Sequence, residues 1–110
     1  MIPHAPPMRF LEQAGVYLVN GDHPLLRDGE LGAFAAVELA AQAAGRAVGT
    51  PGERGMLVAV ENLEALGNIQ AGSRVAPVVI PGRRVGPLVR CQVHIPGVLS
   101  VALTLRLEPA

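Results

Sequence analysis

A chain of 110 residues has room for one domain, spanning 1–110, and one hydrophobic core. Half of it is hydrophobic, 16% is charged and the formal net charge is zero, which excludes an intrinsically disordered chain and a long acidic or basic tail. All the cations are arginine, scattered from Arg9 to Arg106, and the aromatics are Phe10, Tyr17 and Phe34 alone. Neither a phosphate-tracking stripe nor a stacking platform results, so nucleic acid is not an expected partner. A single cysteine, Cys91, excludes an internal disulfide framework and a cysteine-based zinc cluster.

In chain order, residues 1–8 hold three prolines and His4, with no basic region leading into an apolar run, so they do not read as a signal peptide. Residues 8–20 read as one or two short strands broken near Ala14-Gly15, and 21–32 as a loop. Residues 33–48 give the clearest helix: they are rich in alanine, contain no proline, and are stopped by Gly45, Gly49 and Pro51. This helix is apolar nearly all round, which predicts burial on most of its sides. It holds Glu38, Gln42 and Arg46 and falls short of the ~20 apolar residues of a bilayer span, so a soluble, cytoplasmic protein is expected.

Beyond Gly55 the pattern is that of strands. Residues 56–66 form one candidate, and 73–80 a second, which Pro77 confines to an edge or a bulge. Pro81-Gly82 predicts a turn between strands. Val89, Cys91, Val93 and Ile95 alternate with Arg90, Gln92 and His94, and Leu99, Val101, Leu103, Leu105 and Leu107 alternate with Ser100, Ala102, Thr104 and Arg106. A period of two means one buried face, and Pro96-Gly97 between the runs makes them an antiparallel hairpin with Cys91 in its core. The expected architecture is α+β: an antiparallel sheet wrapped around one long central helix, the hot-dog fold.

Two polar features stand outside this pattern. Glu38 is a carboxylate on an otherwise apolar helix, and burying an ionised carboxylate costs several kcal/mol unless it is paired or protonated. Gln42 lies one turn later on the same face. Either the two mark the helix's solvated edge or they serve a reaction. His23, in Asp22-His23-Pro24, has the side chain suited to proton transfer near neutral pH, and Pro24 restricts its backbone to extended conformations. It is either a surface loop histidine or a catalytic one. His94 reads as a solvated strand residue and His4 as a backbone hydrogen-bonding partner. Neither makes a metal-ligand spacing with His23, so no metal is expected. There is no Gly-rich phosphate loop, so no cofactor is implied, and no nucleophile elbow.

Ile2-Pro3-His4-Ala5-Pro6-Pro7-Met8, Asp22-His23-Pro24 and Glu38-Leu39-Ala40-Ala41-Gln42-Ala43-Ala44-Gly45, taken together and in this order, resemble the bacterial hot-dog 3-hydroxyacyl-(acyl-carrier-protein) dehydratases. The resemblance is to the branch found with aryl polyene and related lipid or polyketide gene clusters, and Arg90-Cys91-Gln92-Val93 and the ending Leu107-Glu108-Pro109 fit that branch too. It implies dehydration of a 3-hydroxyacyl thioester, borne by an acyl carrier protein or coenzyme A, to the trans-2-enoyl product. His23 would be the base at C2, Glu38 the acid toward the 3-hydroxyl, and Gln42 the residue orienting Glu38. Backbone N–H groups near Gly32 and Ala33 would bind the thioester carbonyl. Two subunits would share each site, in a homodimer or a heterodimer with a related hot-dog subunit. A catalytically silent subunit paired with an active dehydratase, which the short 8–22 segment would suit, and an acyl thioesterase using Glu38 to activate water are the alternatives.

Overall fold

The structure, a computed structural model, describes residues 9–109, so the readings of residues 1–8, including His4, lie outside it. Its elements are β1 (Leu11–Gln13), β2 (Val16–Leu18), β3 (Glu30–Leu31), α1 (Ala36–Val48), β4 (Glu53–Ala65), β5 (Ile69–Gln70), β6 (Arg74–Val75), β7 (Val78–Val85), β8 (Leu88–Ile95) and β9 (Leu99–Pro109). The expected hot-dog architecture is not what forms. About half of the described residues are strand, arranged in three antiparallel sheets of order β1-β2-β6, β3-β5 and β4-β9-β8-β7, and α1 is a short helix of 13 residues, about 20 Å long.

The helix is shorter than the run of alanines because nothing in residues 33–35 can cap it. Ala35 offers no side-chain acceptor, and the chain enters through tight turns in which Val37 and Glu38 donate to the carbonyls of Phe34 and Ala35. At the far end the Gly49 N–H closes on the Gly45 carbonyl and the chain then becomes extended. The expectation of burial on most sides does hold, with Ala36, Leu39, Ala40, Ala41, Ala43 and Ala44 enclosed while Arg46 and Ala47 remain exposed.

The first strands are two, as their break predicts. Ala14 and Gly15 both take positive φ, 54° and 82°, the backbone of a two-residue hairpin turn. The 21–32 loop contains β3, which pairs with β5. Residues 73–80 do not form one strand: the chain leaves β6 before Pro77 and starts β7 after it. Pro81-Gly82 is no turn. It lies inside β7 at a register shift against β8, where Gly82 runs so close to its neighbour that an added Cβ would sit 2.5 Å from the Arg90 carbonyl oxygen. The turn comes later, at Gly86-Pro87.

The β8–β9 hairpin follows its alternation: Val89, Cys91, Val93 and Ile95 are buried, with Leu99, Val101, Leu103, Leu105 and Leu107 opposite them. This face of the four-stranded sheet meets α1, which touches all four of its strands, and Phe10, Tyr17, Val19, Leu31 and Ile69 complete the same core. Although β4 and β7 are the two outer strands of that sheet, Glu53 at the start of β4 and Arg84 near the end of β7 form an ion pair at 3.0 Å. A flat sheet would hold these strands far apart, so the sheet curls until its edges meet at that end. Among the described residues no helix is long and apolar enough to cross a membrane.

Candidate functional site

Four side chains from three segments converge beside α1. His23 sits where the chain leaves β2 and doubles back: its N–H donates to the Asn20 carbonyl at 3.1 Å and its own carbonyl accepts from Leu26 at 3.1 Å. Pro24 holds this turn from within, and the imidazole is carried inward until the residue is only 6% exposed. His23 is thus not a surface loop histidine. Its ring stacks on Phe10, centroids 4.0 Å apart and planes within 8° of parallel. Its Nδ1 accepts the Leu25 N–H at 3.2 Å, which in the neutral ring leaves the proton on Nε2.

Phe10, just ahead of β1, links this ring to the helix. Its N–H donates to Gln42 Oε1 at 3.0 Å, and Gln42 Nε2 in turn donates to Glu38 Oε1 at 3.3 Å. The spacing of four residues on one helix face, read from the sequence as a polar stripe, therefore becomes a hydrogen bond, and Gln42 does hold the Glu38 carboxylate. Both residues are half-buried. The result is a continuous series of contacts, His23 to Phe10 to Gln42 to Glu38, in which each member fixes the next.

Gly32 and Ala33 lie one turn before the helix proper. The Gly32 carbonyl accepts the Ala36 N–H at 2.8 Å, so it acts here as the acceptor for the first helical amide, and Ala33 is buried. Next to them β3 is held to β5 by Glu30, whose carboxylate accepts from Asn68 at 2.9 Å and from Gln70. These two hydrogen bonds hold the Glu30 carboxyl below its usual range. Four residues ahead of Glu38 and just outside the helix, Phe34 is 76% exposed, an aromatic ring on the surface.

The sequence missed one pairing. Ser100 Oγ and His94 Nδ1 are 2.8 Å apart, within the range of a nucleophile and its base, and His94 is half-buried where it was expected to be solvated. The signal was present in the hairpin: once Ile95 and Leu99 pair across Pro96-Gly97-Val98, residues 94 and 100 must face each other. Val78 lies opposite His94 on the far side and Glu64 opposite Ser100. The carboxylate thus stands on the serine's side, not behind the imidazole where an orienting group would be needed, and the pair reads as a cross-strand hydrogen bond. Cys91 is 1% exposed, and burial pushes its thiol above the usual range.

Among the described residues no three His, Cys, Asp or Glu side chains gather closely enough to hold a metal ion. No protein-family model matches the chain, and no curated protein matches it. The chemistry of the His23, Phe10, Gln42 and Glu38 group is what bears on function.

Proposed function

We propose that this protein removes water from a 3-hydroxyacyl thioester to give the trans-2-enoyl thioester, with His23 and Glu38 as its reacting groups. The observation that carries this reading is the series of contacts from His23 through Phe10 and Gln42 to Glu38, which couples an imidazole to a carboxylate on an apolar helix. The resemblance of the Asp22-His23-Pro24 and Glu38-Leu39-Ala40-Ala41-Gln42 segments supports it from the sequence side.

The hydrogen bond at His23 refines the roles. With Leu25 donating to Nδ1, neutral His23 presents an N–H at Nε2 and not a lone pair. It then acts as an electrophile, hydrogen-bonding the thioester carbonyl oxygen and stabilising the enolate, a task for which a neutral imidazole suffices. The Glu38 carboxylate takes the C2 proton. The C2–H electron pair becomes the enolate, then the C2=C3 bond as the C3–O bond breaks, and the carboxylic acid returns its proton to the departing hydroxyl as water. Gln42 keeps the carboxylate aimed, and backbone N–H groups near Gly32 and Ala33 supply further donors to the carbonyl. The substrate would arrive on an acyl carrier protein or coenzyme A in the cytoplasm. The working unit would be a dimer, with itself or a related subunit, for which the exposed Phe34 at the entry to α1 offers apolar surface to cover.

The test is incubation with 3-hydroxyacyl thioesters, scored for loss of water against release of thiol. Glu38→Gln should lower turnover by about 10²–10⁴. His23→Gln, which keeps an N–H donor, should retain more turnover than His23→Ala. Thiol release without dehydration would make the protein a thioesterase, and turnover that is absent, or indifferent to both positions, would leave the silent-subunit reading in its place.

A further inference from the structure

The turn that carries His23 inward begins with Asn20-Gly21, and the chain is held on either side of this pair. Val19 donates to the Ser73 carbonyl at 3.0 Å and accepts from Gly72 at 2.7 Å, while the His23 N–H closes the turn on the Asn20 carbonyl at 3.1 Å. Between these fixed points Asn20, Gly21 and Asp22 are exposed. Among the described residues neither the Asn20 side-chain amide nor the Gly21 N–H enters a hydrogen bond. A Cβ added at Gly21 would meet nothing within 4 Å, so the flank of this peptide is open to solvent.

Of the chain's asparagines, Asn20 alone is followed by glycine. Asn62 precedes Leu63, which packs against the core, and Asn68 precedes the buried Ile69 and donates through Nδ2 to Glu30 at 2.9 Å. A side chain on the following residue obstructs the approach of its backbone nitrogen to the asparagine's amide carbon. Glycine has none, and its backbone takes the bent conformation that the approach requires. The comparable pair Asp28-Gly29 is locked instead, because Arg27 and Glu30 each donate to the other's carbonyl, at 2.9 and 3.0 Å.

We propose that Asn20 is a site of spontaneous deamidation, and that its isoaspartyl product withdraws the support that keeps His23 buried. The Gly21 nitrogen gives its proton to a solvent base and attacks Asn20 Cγ, the N–Cγ bond forms, and the Cγ–Nδ2 bond breaks to release ammonia. Water then opens the five-membered succinimide at one of its two carbonyls. Attack at Cγ gives aspartate on the original main chain, and attack at the α-carbonyl gives isoaspartate, whose main chain runs through Cβ and Cγ. In the second product the former Asn20 carbonyl, the acceptor of the His23 N–H, is a carboxylate beside the chain, and the path from residue 20 to His23 is one methylene longer. The turn then no longer sets the imidazole against Phe10. The reaction uses only Asn20, Gly21 and water, so it proceeds whatever chemistry His23 performs.

Incubation of the full chain in mildly alkaline buffer at physiological temperature, followed by trypsin digestion and mass spectrometry, tests the site. The peptide 10–27 carries Asn20 as its only asparagine. Asn20 should exchange its amide for an acid at least about fivefold faster than Asn62 or Asn68, the factor that a glycine's backbone freedom supplies. Gly21→Ala should slow the reaction by a similar factor without lowering the melting temperature, since the added methyl meets nothing. Asn20→Asp brings the same charge on an unaltered main chain and so separates charge from backbone. The isoaspartyl form, isolated chromatographically, should melt below Asn20→Asp. It should also exchange the Leu25 amide, which donates to His23 Nδ1, about tenfold faster, as expected for the loss of one hydrogen bond. Deamidation at Asn20 no faster than at the other two asparagines, or indifferent to Gly21→Ala, would overturn the site. An isoaspartyl form that matches Asn20→Asp in both readouts would overturn its hold on His23.

Discussion

Replacing Gln42 by leucine removes the side chain that accepts the Phe10 N–H and so ties the entry to β1 onto the helix. The lost Oε1 is the acceptor for the Phe10 N–H at 3.0 Å, and Phe10 is buried, so that donor would be left without its partner away from water. An unsatisfied buried donor costs about 1–3 kcal/mol. The second bond, from Nε2 to Glu38, is longer at 3.3 Å and half-exposed, so it adds little, and the leucine body recovers a few tenths by apolar burial. The expected loss is about 2 kcal/mol, which for a domain of this size lowers the melting temperature by about 8 °C. Equilibrium denaturation gives the free energy, and hydrogen exchange at the Phe10 amide reports whether this bond is the one broken. Gln42→Glu separates the two bonds, since it keeps an oxygen for the Phe10 N–H but sets a second carboxylate one turn from Glu38. Its stability should recover as the pH falls and one of the two carboxylates takes a proton. A leucine variant within about 0.5 kcal/mol of the native protein, the range of ordinary surface substitutions, would show that Gln42 anchors nothing and would undo the coupling of His23 to Glu38.

Leu103 is fully buried at the centre of β9, between β4 and β8, and Leu103→Ala should cost about 2–5 kcal/mol by denaturation, while a smaller loss would mean that the curled sheet collapses onto the vacancy. Gly82→Ala brings a Cβ to 2.5 Å from the Arg90 carbonyl oxygen, so β7 must shift, at about 1–3 kcal/mol; an unchanged midpoint would show that this edge strand gives way freely. Glu53 is held by Arg84 and Thr50 at a pKa of about 2, below its ordinary 4.5. Because the folded value is the lower one, the stabilisation is complete above pH 4.5 and disappears as the pH falls toward 2. Glu53→Gln should flatten the denaturation midpoint across that window, and an identical pH profile in the variant would refute the assignment.

The legible parts of the fold were those governed by a single local rule. Alternation alone places the buried residues of β8 and, apart from Ala102 on the opposite face, those of β9, because a strand has only two faces and a slip of one residue would expose the entire set. The break at Ala14-Gly15 is legible for the same reason. Length and layering were not: alanine favours helix but says nothing about where capping fails, so residues 33–35 looked helical until their neighbours supplied only tight turns. Pro81-Gly82 carried a turn signature, but the residues that decide its conformation, Arg90 and Cys91, are on β8, eight to ten positions further along the chain. At the site, the Glu38 to Gln42 spacing was readable because both residues are on one helix. The stacking of Phe10 on His23 was not, since two separate segments must already be folded for the rings to meet.

The alanines of α1 also bear on how the molecule moves. Ala36, Ala40, Ala41, Ala43 and Ala44 are enclosed without giving up any rotamer freedom, and for the same reason each brings only a methyl group's worth of apolar area. The leucines and valines of β8 and β9 give the sheet far more. Partial unfolding follows the weaker attachment, so the helix can lift from the sheet as a cooperative unit at a free energy below that needed to separate β8 from β9. Glu38 and Gln42 ride on that unit, which places the carboxylate and its amide partner on the layer of the protein that opens first.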